Sequence, residues 1–325
     1  MTLLPMLALA VVIAVSGAKA EGVGFRDIYV EADGERLVTA LWYPSEKSGR
    51  TAVGPFTMNA SRGAPVGDGR YGLVLLSHGS GGGRLNHRDT AIRLAEGGYI
   101  VAAPEHAGDS WRDDRFSGTA ANWLRRPRQL SAVLDRLLGD AELGPRIDVE
   151  RIGAVGHSAG GYSVLALIGG RADLSVLARH CTQRYEQDPG FCGYGRPGGQ
   201  SAGPMPDLSD PRVGAVAAVA PVGALFGDGS FAGVQVPAQI HHLEADRVLR
   251  EPWHAENVAS LMGEYARLMV HPEAHHFAFI TPFPPAMANE VGAAGRDPAG
   301  FDRRAFLARI DEQILRFFDE ALPGP

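Results

Sequence analysis

The alternation of apolar and polar positions divides the chain into short apolar runs separated by amphipathic stretches. Residues 25–43 (FRDIYVEADGERLVTALWY) alternate on both sides of Asp33-Gly34, a pair suited to a tight turn, and predict a β-hairpin. Residues 44–70 are polar and rich in Gly and Pro, and read as a loop. The run LVLLS at 73–77 is continuously apolar, as in a strand buried on both faces. A helix is expected over 89–97, stopped by Gly97-Gly98, then a strand over 99–103 and a polar loop over 107–122. In 127–138, Leu130, Val133, Leu134, Leu137 and Leu138 fall on one helical face, with Arg126-Pro127 at the start. A third strand (152–155) leads to a helix (162–168). Further strands are expected at 213–220, 238–243 and 268–270, with helices at 254–263 and 304–321. Strands alternating with helices predict an α/β class with a mostly parallel central sheet flanked by helices. Residues 171–212 break the rhythm and read as a cap or lid inserted into one catalytic domain spanning 21–325.

Composition adds limits. A chain of 325 residues, 45% hydrophobic, can bury one large core. The net charge of −6 carries no block of like charge, so nothing points to nucleic acid. Residues 1–20 (MTLLPMLALAVVIAVSGAKA) have the apolar stretch and small-residue A-x-A end of a secretory signal peptide cleaved near Ala20. The expectation is an exported protein, periplasmic or extracellular, with no stable membrane association after cleavage. In that setting Cys181 and Cys192 can pair as a disulfide closing a short loop. Oligomeric state has no sequence signature here.

Three loops at strand ends carry candidate chemistry. GAVGHSAGG (153–161) contains G-x-S-x-G between a strand and a helix, the pattern of a nucleophile elbow, with Ser158 exposed on a tight turn and the Ala159 amide facing the same point. HGSGGG (78–83) follows an earlier strand and matches a loop that supplies a second oxyanion donor. The Ser80 amide is the first choice and Gly81 the alternative. It lacks the Lys-Ser/Thr ending of a phosphate loop. Late in the chain, QIHHLEAD (239–246) runs from a strand into two acids, and EAHHFAF (273–279) offers a histidine. The order Ser158, Asp246, His276 is that of an α/β-hydrolase triad, with Glu244 as the rival acid and His275 as the rival base. The doubled histidines lack helical metal-ligand spacing, and neither cysteine lies at the elbow, so neither a metal nor a cofactor is called for.

LVLLSHGSGG, GYIVAAPEHAGDS, GAVGHSAGG and HHFAF together resemble the bacterial dienelactone-hydrolase-like and platelet-activating-factor-acetylhydrolase-like α/β-hydrolases, over nearly all of residues 25–322. The resemblance implies the α/β-hydrolase fold, with Ser158 as nucleophile, His276 as base and the Ser80 and Ala159 amides as oxyanion hole. Two departures matter. Dienelactone hydrolases proper use a cysteine where this chain has Ser158. The acetylhydrolases place their acid after the strand that follows the elbow helix, where this chain reads VAPV (219–222), so the acid must come one strand later. The expected activity is a serine esterase acting on a small-molecule carboxylic ester through an acyl-enzyme. Amide, lactone or phospholipid hydrolysis, or a non-catalytic binding protein on the same fold, are the alternatives.

Overall fold

The computed structural model describes residues 21–194 and 203–324. The expected leader (1–20) lies outside the described residues. In chain order the strands are β1 (Gly22–Ala32), β2 (Glu35–Ser45), β3 (Thr51–Val53), β4 (Phe56–Met58), β5 (Ser61–Arg62), β6 (Tyr71–Ser77), β7 (Tyr99–Pro104), β8 (Ile147–His157), β9 (Ala215–Val219), β10 (Ala238–Leu243) and β11 (Ala266–His271). The helices are α1 (Arg88–Glu96), α2 (Ala120–Leu138), α3 (Ala159–Leu167), α4 (Leu174–Arg184), α5 (Pro189–Cys192), α6 (Ala255–Met262), α7 (Pro285–Ala288) and α8 (Arg303–Ala321).

The β1–β2 hairpin forms where predicted, and Asp33 and Gly34 both take positive φ (50° and 75°), the twist that suits a two-residue hairpin turn. The main sheet has nine strands in the order β11-β10-β9-β8-β6-β7-β2-β1-β5. From β7 to β11 all neighbours are parallel, while β2 joins both β1 and β7 antiparallel. Every residue of β6, β7, β9 and β10 is buried; the first three are almost wholly apolar, while β10 (AQIHHL) also buries Gln239, His241 and His242, with His241 hydrogen-bonded to Gln239 and His271. One face of the sheet packs on α2, α3 and α6 through residues such as Leu130, Leu134, Tyr162, Leu165 and Val258. The other packs on α1 and α8 through Leu94, Phe306, Ile310, Ile314 and Phe318.

Two local readings change, and the expected disulfide forms. Residues 44–70 are not all loop: β3 and β4 form a small hairpin and β5 adds to the sheet edge. Helix α2 starts at Ala120, capped by Thr119, whose side chain accepts the Asn122 N–H, and Pro127 lies inside it. Proline has no N–H for the Trp123 carbonyl four residues back, but the Tyr162 hydroxyl donates to that carbonyl at 3.0 Å, so the helix continues. Residues 171–212 hold α4 and α5, joined by the Cys181–Cys192 disulfide.

Candidate active site

Between the end of β8 and the start of α3 stands Ser158 alone, at φ 55° and ψ −118°. A side chain in that region is strained, and the surroundings hold it there. The Ser158 N–H donates to Val219 O (3.0 Å), and its carbonyl accepts from Val222 and Tyr162 (3.1 and 3.2 Å). The flanking glycines are steric necessities. A Cβ on Gly156 would lie 2.0 Å from Gly160 O, and one on Gly160 would lie 2.0 Å from Ser77 O. The elbow closes only where both side chains are missing.

His276 begins a 3₁₀ turn (His276–Phe279) after β11. Its Nε2 lies 3.1 Å from Ser158 Oγ and its Nδ1 lies 2.6 Å from Asp246 Oδ2. Two buried histidines pin this turn: His157 Nε2–H donates to His276 O (2.8 Å) and His87 Nδ1–H donates to Phe279 O (3.0 Å). Burial holds both neutral, bringing His87 down to about 4 and, with the nearby His276 and His87 rings adding to it, His157 well below the usual histidine range.

Asp246 follows β10. Its Oδ1 accepts the Val248 and Leu249 N–H groups (2.7 and 2.9 Å), a turn that fixes the carboxylate and leaves Oδ2 for His276. Glu244 is exposed, with its backbone N–H on His271 O. His275 faces away, its Nε2 3.0 Å from Asp297 Oδ1. Neither rival reaches Ser158 in this arrangement.

The 78–83 loop lies against Ser158: a Cβ on Gly79 would sit 3.2 Å from Ser158 Cβ. The Gly81 N–H donates to Asp109 Oδ1 (3.3 Å) and the Gly82 N–H to Gly79 O (3.1 Å), so both amides are engaged. Among the described residues the Ser80 amide has no protein acceptor, and the Ala159 amide, at the first position of α3, precedes the helix ladder. Ser158, His276, Ser80 and Ala159 all border one cavity of about 950 Å³, walled mainly by apolar side chains including Phe56, Trp111, Phe191, Leu249, Phe277 and Phe283. Most of these walls come from the β3–β4 hairpin, α5, the loop after Asp246 and the segment from the 3₁₀ turn onward, with Trp111 standing on the loop after β7; periodicity gave little signal in any of them.

One further cluster could in principle hold a metal ion: His180, Asp188 and His254. Asp188 Oδ2 lies 3.0 Å from His180 Nε2 and 2.9 Å from His254 Nε2. The Gly223 N–H, however, donates to His254 Nδ1 (3.3 Å), which leaves the proton on Nε2 and points it at Asp188. A metal would need a lone pair there, so the cluster fits a hydrogen-bonded clamp between the insert and the body better than a metal site. Cys181 and Cys192, near His180, are oxidised and offer no thiolate.

The chain has the α/β-hydrolase fold. The family model described as platelet-activating factor acetylhydrolase, isoform II, matches residues 29–119, a segment that carries the 78–83 loop and ends before the elbow. The chain is similar to Cutinase est1 of Thermobifida alba, 30% identical over 149 residues, covering 41% of this chain and 47% of that protein. It is equally similar to Cutinase cut1 of Thermobifida fusca, 30% identical over 139 residues, covering 38% and 40%. The chain thus spans about half the length of the curated relatives it matches. Among solved structures, a ferulic acid esterase from Streptomyces cinnamoneus aligns over 97% of this chain and 93% of its own, with TM-score 0.65 and 22% identity. A dienelactone hydrolase-like promiscuous phosphotriesterase from metagenomic libraries aligns over 92% and 99%, with TM-score 0.56 and 15% identity. These two likenesses concern the fold.

Proposed function

We propose that the protein is a serine hydrolase that cleaves carboxylic esters through Ser158, His276 and Asp246. The observation that carries the reading is the unbroken chain from Ser158 Oγ through His276 to Asp246 Oδ2, at the wall of an apolar cavity. In the resting state Nδ1–H of His276 donates to Asp246, so Nε2 carries the lone pair that accepts the Ser158 proton. The Ser158 oxygen attacks the ester carbonyl while His276 takes the proton. Asp246 stabilises the resulting imidazolium. The carbonyl oxygen becomes an oxyanion facing the Ser80 and Ala159 amides, each worth about 3–4 kcal/mol of transition-state stabilisation in comparable sites. His276 then returns the proton to the departing alkoxide. Water, activated by the same imidazole, releases the acyl group from Ser158.

The names of the similar proteins, cutinases and a ferulic acid esterase, support ester hydrolysis as the reaction class. The predominantly apolar cavity suits an apolar acyl or alcohol part. In this reading the 171–212 insert is a cap on one catalytic domain, and Phe191 and Tyr194 are among its described residues that line the cavity. The disulfide fits export after removal of residues 1–20. The test is fluorophosphonate labelling with mass mapping of the modified peptide, beside turnover of a p-nitrophenyl ester. Modification of Ser158, absent in Ser158→Ala together with turnover, is expected. A folded wild-type protein that neither labels nor turns over overturns the enzyme reading in favour of a binding protein.

A further inference from the structure

Behind the 78–83 loop lies a fully buried acid and base that the reaction does not use. Asp109, in the loop after β7, is 0% exposed, and Arg126, on α2, is 1% exposed. The Asp109 carboxylate collects five donors: Ser80 Oγ–H (2.9 Å), the Gly81 N–H (3.3 Å), Asn122 Nδ2 (2.7 Å), Arg126 Nη1 (2.7 Å) and the Ser117 hydroxyl. Two of the five come from consecutive residues of the oxyanion loop. Arg126 grips the same loop from the other side, its Nη2 donating to the His78 carbonyl and, at 3.4 Å, to Ser77 Oγ. His78 completes the brace: its Nδ1–H donates to Gly79 O (2.7 Å), and its Nε2 accepts the His106 N–H (3.1 Å).

Much of residues 77–81 is therefore tied to the body, while the Ser80 amide has no protein acceptor among the described residues and Ser80 borders the cavity. A loop this rich in glycine has little conformational preference of its own. Its shape must come from its contacts. Burial alone would push the Asp109 carboxyl up, but Arg126 and the Ser117 and Asn122 donors outweigh it and hold the group below its usual value, so the brace is ionic throughout the neutral range.

We propose that Asp109, anchored by Arg126, is a positioning residue of the oxyanion hole: by holding Ser80 Oγ and the Gly81 amide it sets the direction in which the Ser80 amide points. The inference rests on the serine-hydrolase reading. Asp109 never touches substrate, and its effect is on the stabilisation of the tetrahedral oxyanion rather than on binding of the ground-state ester.

The experiment compares wild type with Asp109→Asn, Ser80→Ala and Asn122→Ala, each normalised by fluorophosphonate titration of Ser158. Ser80→Ala keeps the amide and removes only its tether to Asp109. Asn122→Ala removes another donor to the same carboxylate, away from the loop. Loss of a whole oxyanion donor lowers kcat by about 10²–10³, so a mis-aimed one should lower it by roughly 10–100-fold. The expected result is that fall in kcat for Asp109→Asn and Ser80→Ala, with KM within about twofold and the Ki of a trifluoromethyl ketone, which binds as a tetrahedral oxyanion, weakened by a similar factor. Asn122→Ala should lower the melting temperature and leave kcat and the ketone Ki unchanged. Equal loss of kcat in Asn122→Ala and Ser80→Ala, or unchanged ketone affinity in both loop variants, overturns the proposal and leaves Asp109 a structural residue. Should Asp109→Asn not fold, the Ser80→Ala and Asn122→Ala pair still decides. Wild type that is not labelled at Ser158 refutes the hydrolase reading itself, a separate outcome from the one that refutes the brace.

Discussion

Asp311 on α8 is 4% exposed and packs against α1, where Thr90 Oγ1–H donates to its Oδ1 at 2.7 Å. Burial raises its carboxyl to about 7, with the Thr90 bond and Arg93 opposing and Asp89 adding to the rise. The folded protein therefore holds a proton that the unfolded chain, at its ordinary value of 3.8, gives up. Between those two values the native state binds more protons, so stability falls as pH rises from about 4 to about 7, and is flat above. The gap, 7 less 3.8, is about 3 pH units, which at ~1.4 kcal/mol per unit makes a penalty of about 4 kcal/mol at pH 8. Asp311→Asn keeps an oxygen for Thr90 and has no charge to lose. It should match wild type below pH 4, gain on it by ~1.4 kcal/mol per unit up to about pH 7, and stay ahead by up to about 4 kcal/mol beyond. Urea unfolding of both proteins at pH 4, 5, 6, 7 and 8.5 measures this. The difference between the two isolates Asp311 from the other titrating groups. A gap that is constant with pH, or that narrows as pH rises, refutes the reasoning.

Three shorter expectations follow. Asp246→Asn should lower kcat by roughly 10⁴-fold because the amide favours the wrong His276 tautomer, while Glu244→Gln should leave kcat within about twofold; equal losses in steady-state assays would return the acid to Glu244. Gly160→Ala forces a Cβ to within 2.0 Å of Ser77 O and should destabilise by about 3 kcal/mol or more, read by urea midpoint; a loss under about 0.5 kcal/mol would show that the elbow can relax. Replacing Cys181 and Cys192 by Ser removes a cross-link spanning 11 residues, worth ~2–3 kcal/mol, and loosens the wall carrying Phe191 and Tyr194. KM should then rise more than kcat falls, and unchanged KM would detach the insert from substrate binding.

The elbow was legible in the sequence because its rule is local: the collisions that exclude side chains at 156 and 160 arise within a few residues of Ser158 or on the adjoining strand. The nine-stranded order was legible only as a class, since the unbroken apolar runs mark buried strands without saying which pairs with which. The choice between Glu244 and Asp246 stayed open because period-2 reasoning ends with the strand; the turn that Asp246 makes with Val248 and Leu249 decides which carboxylate faces His276. Pro127 marked a false helix start because the carbonyl it leaves unpaired is met by Tyr162, far along the chain. Asp109 and Arg126 gave no signal as a pair: 17 positions apart, one in a polar loop and one on a helix, they meet only through the fold.

The division of labour between strand ends and excursions has an evolutionary side. Ser158, Asp246 and His276 sit just past three strands of a rigid sheet, and the positions around Ser158 admit almost no change of volume. The cavity wall, by contrast, is assembled mostly from excursions away from the sheet, and outside the Val248–Leu249 turn that fixes Asp246 their side chains can change with little effect on these three residues. Descendants of such a chain can change what the cavity admits by small, nearly independent steps in those excursions. A combinatorial library confined to positions 53–56, 190–194 and 283–294 would explore the same freedom in the laboratory.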